Sequence, residues 1–379
     1  MQQVLKILFV LIALLFVGKS FSQNLSPKSE ISILTVSPGK ELFNAFGHSG
    51  LRVNDTINNI DVVFNYGIFD FRQPNFYTNF IKGKLLYSLG KSSTSRFLRH
   101  YDRQGRQVIE QTAKLNEADQ QKIIEFLEHN YLPENRDYLY DFFFDNCASR
   151  IRDVFENELG EENFAYSAIP IASEKSFREM LDIYTKNNGR LWADFGMDLI
   201  LGLPSDAICD ERNQMFLPDF LMENMAGIAY KKNNLLSAKE VLVPLKSEKQ
   251  IGLPITPIMA TLIFLALALI VSFLITSQVV KNLFDGSMLL ILGVSGLLFL
   301  CMWLFTDHMV CHKNLNMLWA NPLYLAFPFL FKNRWFWLTV LFISLVVLAS
   351  FPFSPQQFHL AFIPIFLGII VRSFLRIKN

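Results

Sequence analysis

Net charge is almost missing from this chain: 35 Lys and Arg against 34 Asp and Glu leave +1 at pH 7 across 379 residues. That balance excludes a strong whole-protein pull on nucleic acid, so partners have to be read from local sites. Charge is also scarce beyond residue 250, and the 51% hydrophobic average therefore hides a polar half and a lipid-like half. Cysteine is sparse as well. Cys147 and Cys209 lie in the polar half, Cys301 and Cys311 in the apolar half. In an oxidising compartment the plain expectation is a Cys147 to Cys209 disulfide. The competing expectation keeps Cys147 as a free thiol.

What is present begins with residues 1–22, where Lys6, an apolar run to Val17 and Gly18-Lys19-Ser20-Phe21-Ser22 follow the basic, apolar, small-residue order of an export signal. Cleavage is expected near Ser22, with a retained anchor as the alternative. In either case the following segment leaves the cytoplasm.

Residues 23–190 read as an α+β domain. Ile31 to Val36 is a strand ended by Pro38-Gly39, and the stretches 49–53 and 61–66 flank the turn-rich Asn54 to Asn59, which makes a hairpin. Glu117 to His129, Ala148 to Leu159 and Phe177 to Tyr184 carry apolar residues at helical spacing. Residues 191–250 are too apolar for a linker and suit a cap over a cleft or a segment lying on a bilayer, with Lys246 to Lys249 as a polar joint.

Apolar stretches follow at 255–276, 287–306, 315–331, 335–352 and 357–374, so residues 251–379 read as an all-α transmembrane bundle of about five spans. Five spans, unlike four, place Lys281, the Lys332/Arg334 pair and the Arg372/Arg376/Lys378 tail inside. The same parity puts the loop Asp307 to Asn314 outside, facing the soluble domain.

Two constellations carry candidate chemistry. Phe46-Gly47-His48-Ser49-Gly50 sets a histidine at the start of a strand among glycines that let a substrate come close. Asp145-Asn146-Cys147 puts a cysteine in the first turn of a helix with capping residues before it. A helix N-terminus favours negative charge and so favours the thiolate, which is the nucleophile. His48 is then the candidate base. A thiol site of this type also needs a polar group to orient the imidazole. A hairpin turning near Ile57 sets Asn65 and Tyr66 across from His48, making Asn65 the candidate orienter and Asp70 the next.

Arg150 and Arg152 follow Cys147 and could meet a lipid phosphate, although such residues are more often a solvated face. His308 and His312 stand four apart, the spacing of some metal pairs, but only Asp307 is near as a third ligand. No metal is therefore assigned. A polar outer loop that contacts lipid headgroups or the soluble domain is preferred.

Together, Phe46 to Arg52, Asn65-Tyr66-Gly67-Ile68-Phe69-Asp70-Phe71, Asp145-Asn146-Cys147-Ala148 and His312 to Pro322 resemble the Lnb family of Bacteroidetes over nearly the whole mature chain. That family is similar to permuted papain-like folds such as lecithin:retinol acyltransferase, in which the histidine precedes the cysteine. The resemblance implies a thiol-dependent lipoprotein N-acyltransferase of the inner membrane, with its catalytic domain in the periplasm. Its implied partners are membrane phospholipid and diacylglyceryl-modified lipoproteins, without nucleic acid. A thiol route needs no cofactor. Two other functions compete: a membrane-tethered cysteine amidase or peptidase acting on cell-wall peptide, and a non-catalytic lipid or lipoprotein binding module in which Cys147 is structural.

Overall fold

The computed structural model describes residues 24–166, 175–246 and 253–378. The export signal expected over residues 1–22 lies outside them. Among the described residues, seven strands form one antiparallel sheet: β1 (Ser29–Val36), β2 (His48–Asp55), β3 (Ile60–Ile68), β4 (Leu86–Ser93), β5 (Val108–Thr112), β6 (Asp137–Leu139) and β7 (Glu240–Val243). Their spatial order is β7-β5-β1-β2-β3-β4-β6. In the central β1, Ile31 and Ile33 turn to one face and Leu34 and Val36 to the other, and all four are buried. Both faces of the sheet are therefore covered.

The covering helices are α1 (Phe76–Lys82), α2 (Thr94–Arg103), α3 (Glu117–Tyr131), α4 (Cys147–Leu159), α5 (Phe177–Asn187), α6 (Leu191–Ile200) and α7 (Pro218–Gly227). On one face Leu127 of α3, Ile151 and Phe155 of α4 and Leu221 of α7 pack against Ile31, Leu51 and Phe64. On the other, Phe97 and Tyr101 of α2 pack against Leu34, Val36 and Val63.

The β2–β3 hairpin pairs Leu51 with Phe64 and Asp55 with Ile60, one residue away from the register expected for a turn at Ile57. The cause is local. The Asp55 carboxylate accepts the Ile57 and Asn58 N–H groups, and Asn59 takes φ 54°, so the turn closes over residues 56–59.

Of residues 191–250, expected as a cap and joint, the described part, 191–246, is woven into this domain. Leu221 and Met225 of α7 share a core with Ala148 and Ile151, and β7 adds an edge strand beside β5.

The longer helices of the C-terminal part are α8 (Pro257–Phe273), α9 (Gln278–Phe305), α10 (Arg334–Ser350) and α11 (Phe362–Lys378). Helix α9 and the stretch Arg334–Phe353 are long and apolar enough to cross a membrane. At 28 residues α9 is about 42 Å long. The apolar stretch 315–331 is not a continuous helix. It is two 3-10 turns, Leu315–Leu318 and Pro322–Ala326, and one helical turn, Phe327–Leu330. Asn314 and Asn321 start each 3-10 turn as side-chain caps, and Pro322 and Pro328 cannot supply N–H donors to a longer helix. This irregular chain runs back along α9, with Ala320 against Gly296, Leu325 against Gly293 and Phe327 against Gly286. The glycines leave room for this non-helical backbone to pack closely on the helix. Part of the basic C-terminal tail is also internal: Arg372 holds Asp285 through bonds of 2.6 and 2.9 Å, both side chains being buried.

The loop after α9 ties the two parts together. The Asp307 N–H bonds the Lys82 carbonyl at 2.8 Å, the Gly202 N–H bonds the Val310 carbonyl at 2.8 Å, and Asn314 Nδ2 donates to the Leu199 and Ile200 carbonyls. A Cβ at position 202 would lie 1.9 Å from the His312 carbonyl oxygen. Gly202→Ala is expected to force this joint apart at a cost of about 1–3 kcal/mol, read as a lower thermal midpoint of the detergent-purified protein. An unchanged midpoint would mean the joint carries little of the stability.

Candidate active site

The site starts from two backbone features. Gly47 takes φ +85°, and a Cβ there would meet the Val36 carbonyl oxygen at 2.8 Å, so only glycine makes the turn that launches β2 with His48 as its first residue. At the other element, Asn146 caps α4: its Oδ1 accepts the Ala148 and Ser149 N–H groups, while Ser149 Oγ accepts the Asn146 N–H in return. Cys147 is thereby the first residue of a helix whose start faces the beginning of β2.

The structure brings Cys147, His48 and Asn65 together. His48 Nε2 is hydrogen-bonded to Asn65 Oδ1, and the imidazole lies close enough to the Cys147 thiol for the two to be electrostatically coupled. With Nε2 committed to Asn65, the nitrogen that serves the thiol is Nδ1. Gly67, at φ +89° in an irregularity of the β3–β4 ladder, floors the site: a Cβ there would lie 3.7 Å from Cys147 Cβ and 3.9 Å from His48 Cε1. Asp70, the second candidate orienter, pairs instead with the exposed Arg72.

Burial by itself disfavours charge on either reacting group. Attraction between imidazolium and thiolate outweighs it, helped by Asn65 on the histidine and by the Ser49 and Cys147 N–H groups on the sulfur. The His48 pKa therefore stands above its ordinary 6.5 and the Cys147 pKa below its ordinary 9.0. Cys209 behaves oppositely, pushed up to about 12 by burial and the nearby Asp210. All four cysteines are unpaired, so the Cys147 to Cys209 disulfide is not formed.

These directions fix a testable order of reactivity. Iodoacetamide is expected to modify Cys147 at neutral pH, its rate climbing through a midpoint below 9.0 as the thiol ionises, while Cys209 stays unmodified. Peptide mass mapping across the pH range reads both. A Cys147 midpoint at or above 9.0 would remove the ion pair.

The other candidate residues lie apart from this trio. Arg150 pairs with Asp145 and lies over the Tyr138 ring, 3.5 Å from its centroid. Arg152 is buried, its guanidinium held by Asp153 and the Arg212 carbonyl. His308 and His312 sit in the loop that joins the two parts, with Nε2 facing the Phe80 and Thr306 carbonyls respectively. Residues that sequence reasoning missed form the walls. Tyr101 approaches the His48 ring at 6.3 Å, and Arg106, buried and 4.9 Å over Tyr101, acts electrostatically on both His48 and Cys147. Neither belongs to a local motif. Only the packing of α2 and the turn after it on the sheet brings them in.

One further cluster among the described residues has metal-like composition: Asp194, Asp198 and His359 converge within 4.8 Å. His359 Nδ1 accepts the Ala361 N–H at 3.0 Å, which leaves the ring proton on Nε2, facing Asp194 at 3.4 Å. The histidine thus offers a donor rather than the lone pair a metal needs.

The Lnb N-terminal periplasmic domain matches residues 19–178, and the Lnb transmembrane domain matches residues 246–379. No curated protein and no solved structure matches the chain. The α+β sheet domain is therefore the periplasmic part of a membrane protein, and the C-terminal helices are its transmembrane domain.

Proposed function

The chain belongs to the Lnb family, and from that premise we propose that it is a thiol-dependent lipoprotein N-acyltransferase. The observation that carries this reading is the convergence of Cys147, His48 and Asn65 at a helix start, in a periplasmic domain tied directly to a transmembrane domain. The histidine precedes the cysteine, and the cysteine helix packs on an antiparallel sheet, which supports a permuted papain-like fold.

In the first half-reaction His48 Nδ1 takes the thiol proton and Cys147 Sγ attacks an ester carbonyl of a phospholipid. The single bond from the acyl carbon to the ester oxygen breaks, that oxygen leaves on the lysophospholipid with the proton from His48, and the acyl chain stays on Cys147 as a thioester. In the second, the α-amine of the diacylglyceryl-modified N-terminal cysteine of a lipoprotein attacks the thioester. Its C–N bond forms, the C–S bond breaks, and His48 relays the amine proton back to the thiolate. Asn65 holds the ring for both steps. The Cys147 N–H, at the positive end of α4, is available to the oxyanion of each tetrahedral intermediate. The acyl carbon passes through a thioester, and the route calls for no cofactor.

We place the protein in the inner membrane with five crossings, four as helices and one as the irregular 315–331 chain against α9. Expression in a strain lacking its own lipoprotein N-acyltransferase tests the function. Mass spectrometry of lipoprotein N-termini is expected to find an added N-linked acyl chain. Its absence from well-expressed protein would favour the cell-wall amidase, which could use the same three residues.

A further inference from the structure

Helix α1 exposes Tyr77, Phe80 and Ile81 at 74%, 53% and 64%, positions i, i+3 and i+4 that share one helix face. A helix of a soluble domain normally hides such a stripe. This one sits against the end of α9: its last residue, Lys82, accepts the Asp307 N–H through its carbonyl, and the Phe80 carbonyl faces His308 Nε2 at 2.9 Å. The final residues of α9, Leu304 and Phe305, are themselves exposed. The apolar face of α1 therefore continues the lipid-facing surface of a membrane-spanning helix, at the depth where aromatic side chains gather.

From that face a strip of rings leads inward. Phe80 meets Phe76 at 6.4 Å, Phe76 meets Phe71 at 4.9 Å, Phe71 meets Phe69 at 5.1 Å, Phe69 meets Tyr87 at 5.3 Å and Tyr87 meets Tyr140 at 4.4 Å between centroids. Phe69 lies two residues beyond Gly67, which borders Cys147 directly. Phe71 is 65% exposed and leaves the strip open along its flank.

We propose that α1 is an acyl-entry helix: it seats in the outer leaflet beside α9, and one acyl chain of a membrane phospholipid lies along this aromatic strip with its ester carbonyl at Cys147. The inference rests on the acyltransferase reading and adds where the donor lipid enters and what holds its chain.

The test uses the full-length protein and intact mass spectrometry of acyl-Cys147. Two donors are compared: phosphatidylethanolamine and phosphatidylglycerol vesicles, and the water-soluble ester 4-nitrophenyl butyrate. The pair Tyr77→Asp and Ile81→Asp is expected to slow acylation from vesicles at least tenfold and to leave the soluble ester at the wild-type rate. Phe71→Ala, within the strip and outside the trio, is expected to do the same. Vesicle acylation at the wild-type rate in both variants would overturn the proposal. So would a parallel loss of both reactions in both variants, since the strip would then support the site rather than the chain. Wild type that reacts with the soluble ester and never with vesicles would instead bring down the acyltransferase reading, and the entry route with it.

Discussion

Cys147→Ala, expressed in the strain without its own lipoprotein N-acyltransferase, will leave lipoprotein N-termini free of the added acyl chain while the protein accumulates in the membrane as before. The expected fall in rate is on the order of 10⁶-fold, the size of loss seen when a nucleophile is taken from a cooperating triad. Nothing else in the described site can replace the thiol. Cys209 is held protonated by burial, and the hydroxyl of Ser49 is buried with no partner. Stability should change little, because the helix start is held by the Asn146 cap and the Ser149 return bond rather than by the sulfur. Cys147→Ser is expected to be nearly as inactive, since a hydroxyl is not ionised by a neighbouring imidazole as a thiol is. Undiminished N-acylation in Cys147→Ala would eliminate the thioester route, and the site would then be structural.

His48→Ala is the second large effect, expected at about 10²–10⁴-fold in both half-reactions, the usual worth of a positioned general base. It removes the base and also the counter-charge that holds the thiolate. The sign follows from the two shifts. Without the imidazolium, the largest cause lowering the Cys147 pKa is gone while the burial that raises it remains, so the ionisation midpoint must move up. Activity that remains in the variant should therefore rise with pH where wild type has already levelled. Single-turnover acylation followed by aminolysis separates the two steps. A variant that forms acyl-Cys147 normally and fails only in transfer to the amine would confine His48 to the second half-reaction.

Much of this site was legible because its parts are local. The Asn146 cap, the first-turn position of Cys147 and the glycine turn before His48 each follow from a few consecutive residues. The bond from His48 to Asn65 depends on hairpin register, and the register came out one residue away because the Asp55 carboxylate closes a different turn. Asn65 is still reached, since continuing the observed register places Gly50 opposite it and His48 diagonally across on the same face.

The features that were not legible are those made by distant packing. β7 finds its edge beside β5 more than 120 residues earlier in the chain, and no local pattern marks that partner. Arg152 looks like a surface residue until Asp153 and the Arg212 carbonyl enclose it. The stretch 315–331 has the hydropathy of a span, yet its asparagine caps and prolines select 3-10 turns that only the glycines of α9 can accommodate. Apolar composition said nothing of that segment's backbone.

The joint at Gly202 and Asp307 has a consequence for what the protein can reach. Because hydrogen bonds tie the end of α6 and α1 to the loop after α9, the Cys147 sulfur of the proposed site would be held at a set height relative to the transmembrane helices, as a tool is held by an arm. Selection among lipids would then depend partly on depth: an ester that rides too low in a thick bilayer, or too high in a thin one, would miss the sulfur whatever its chemistry.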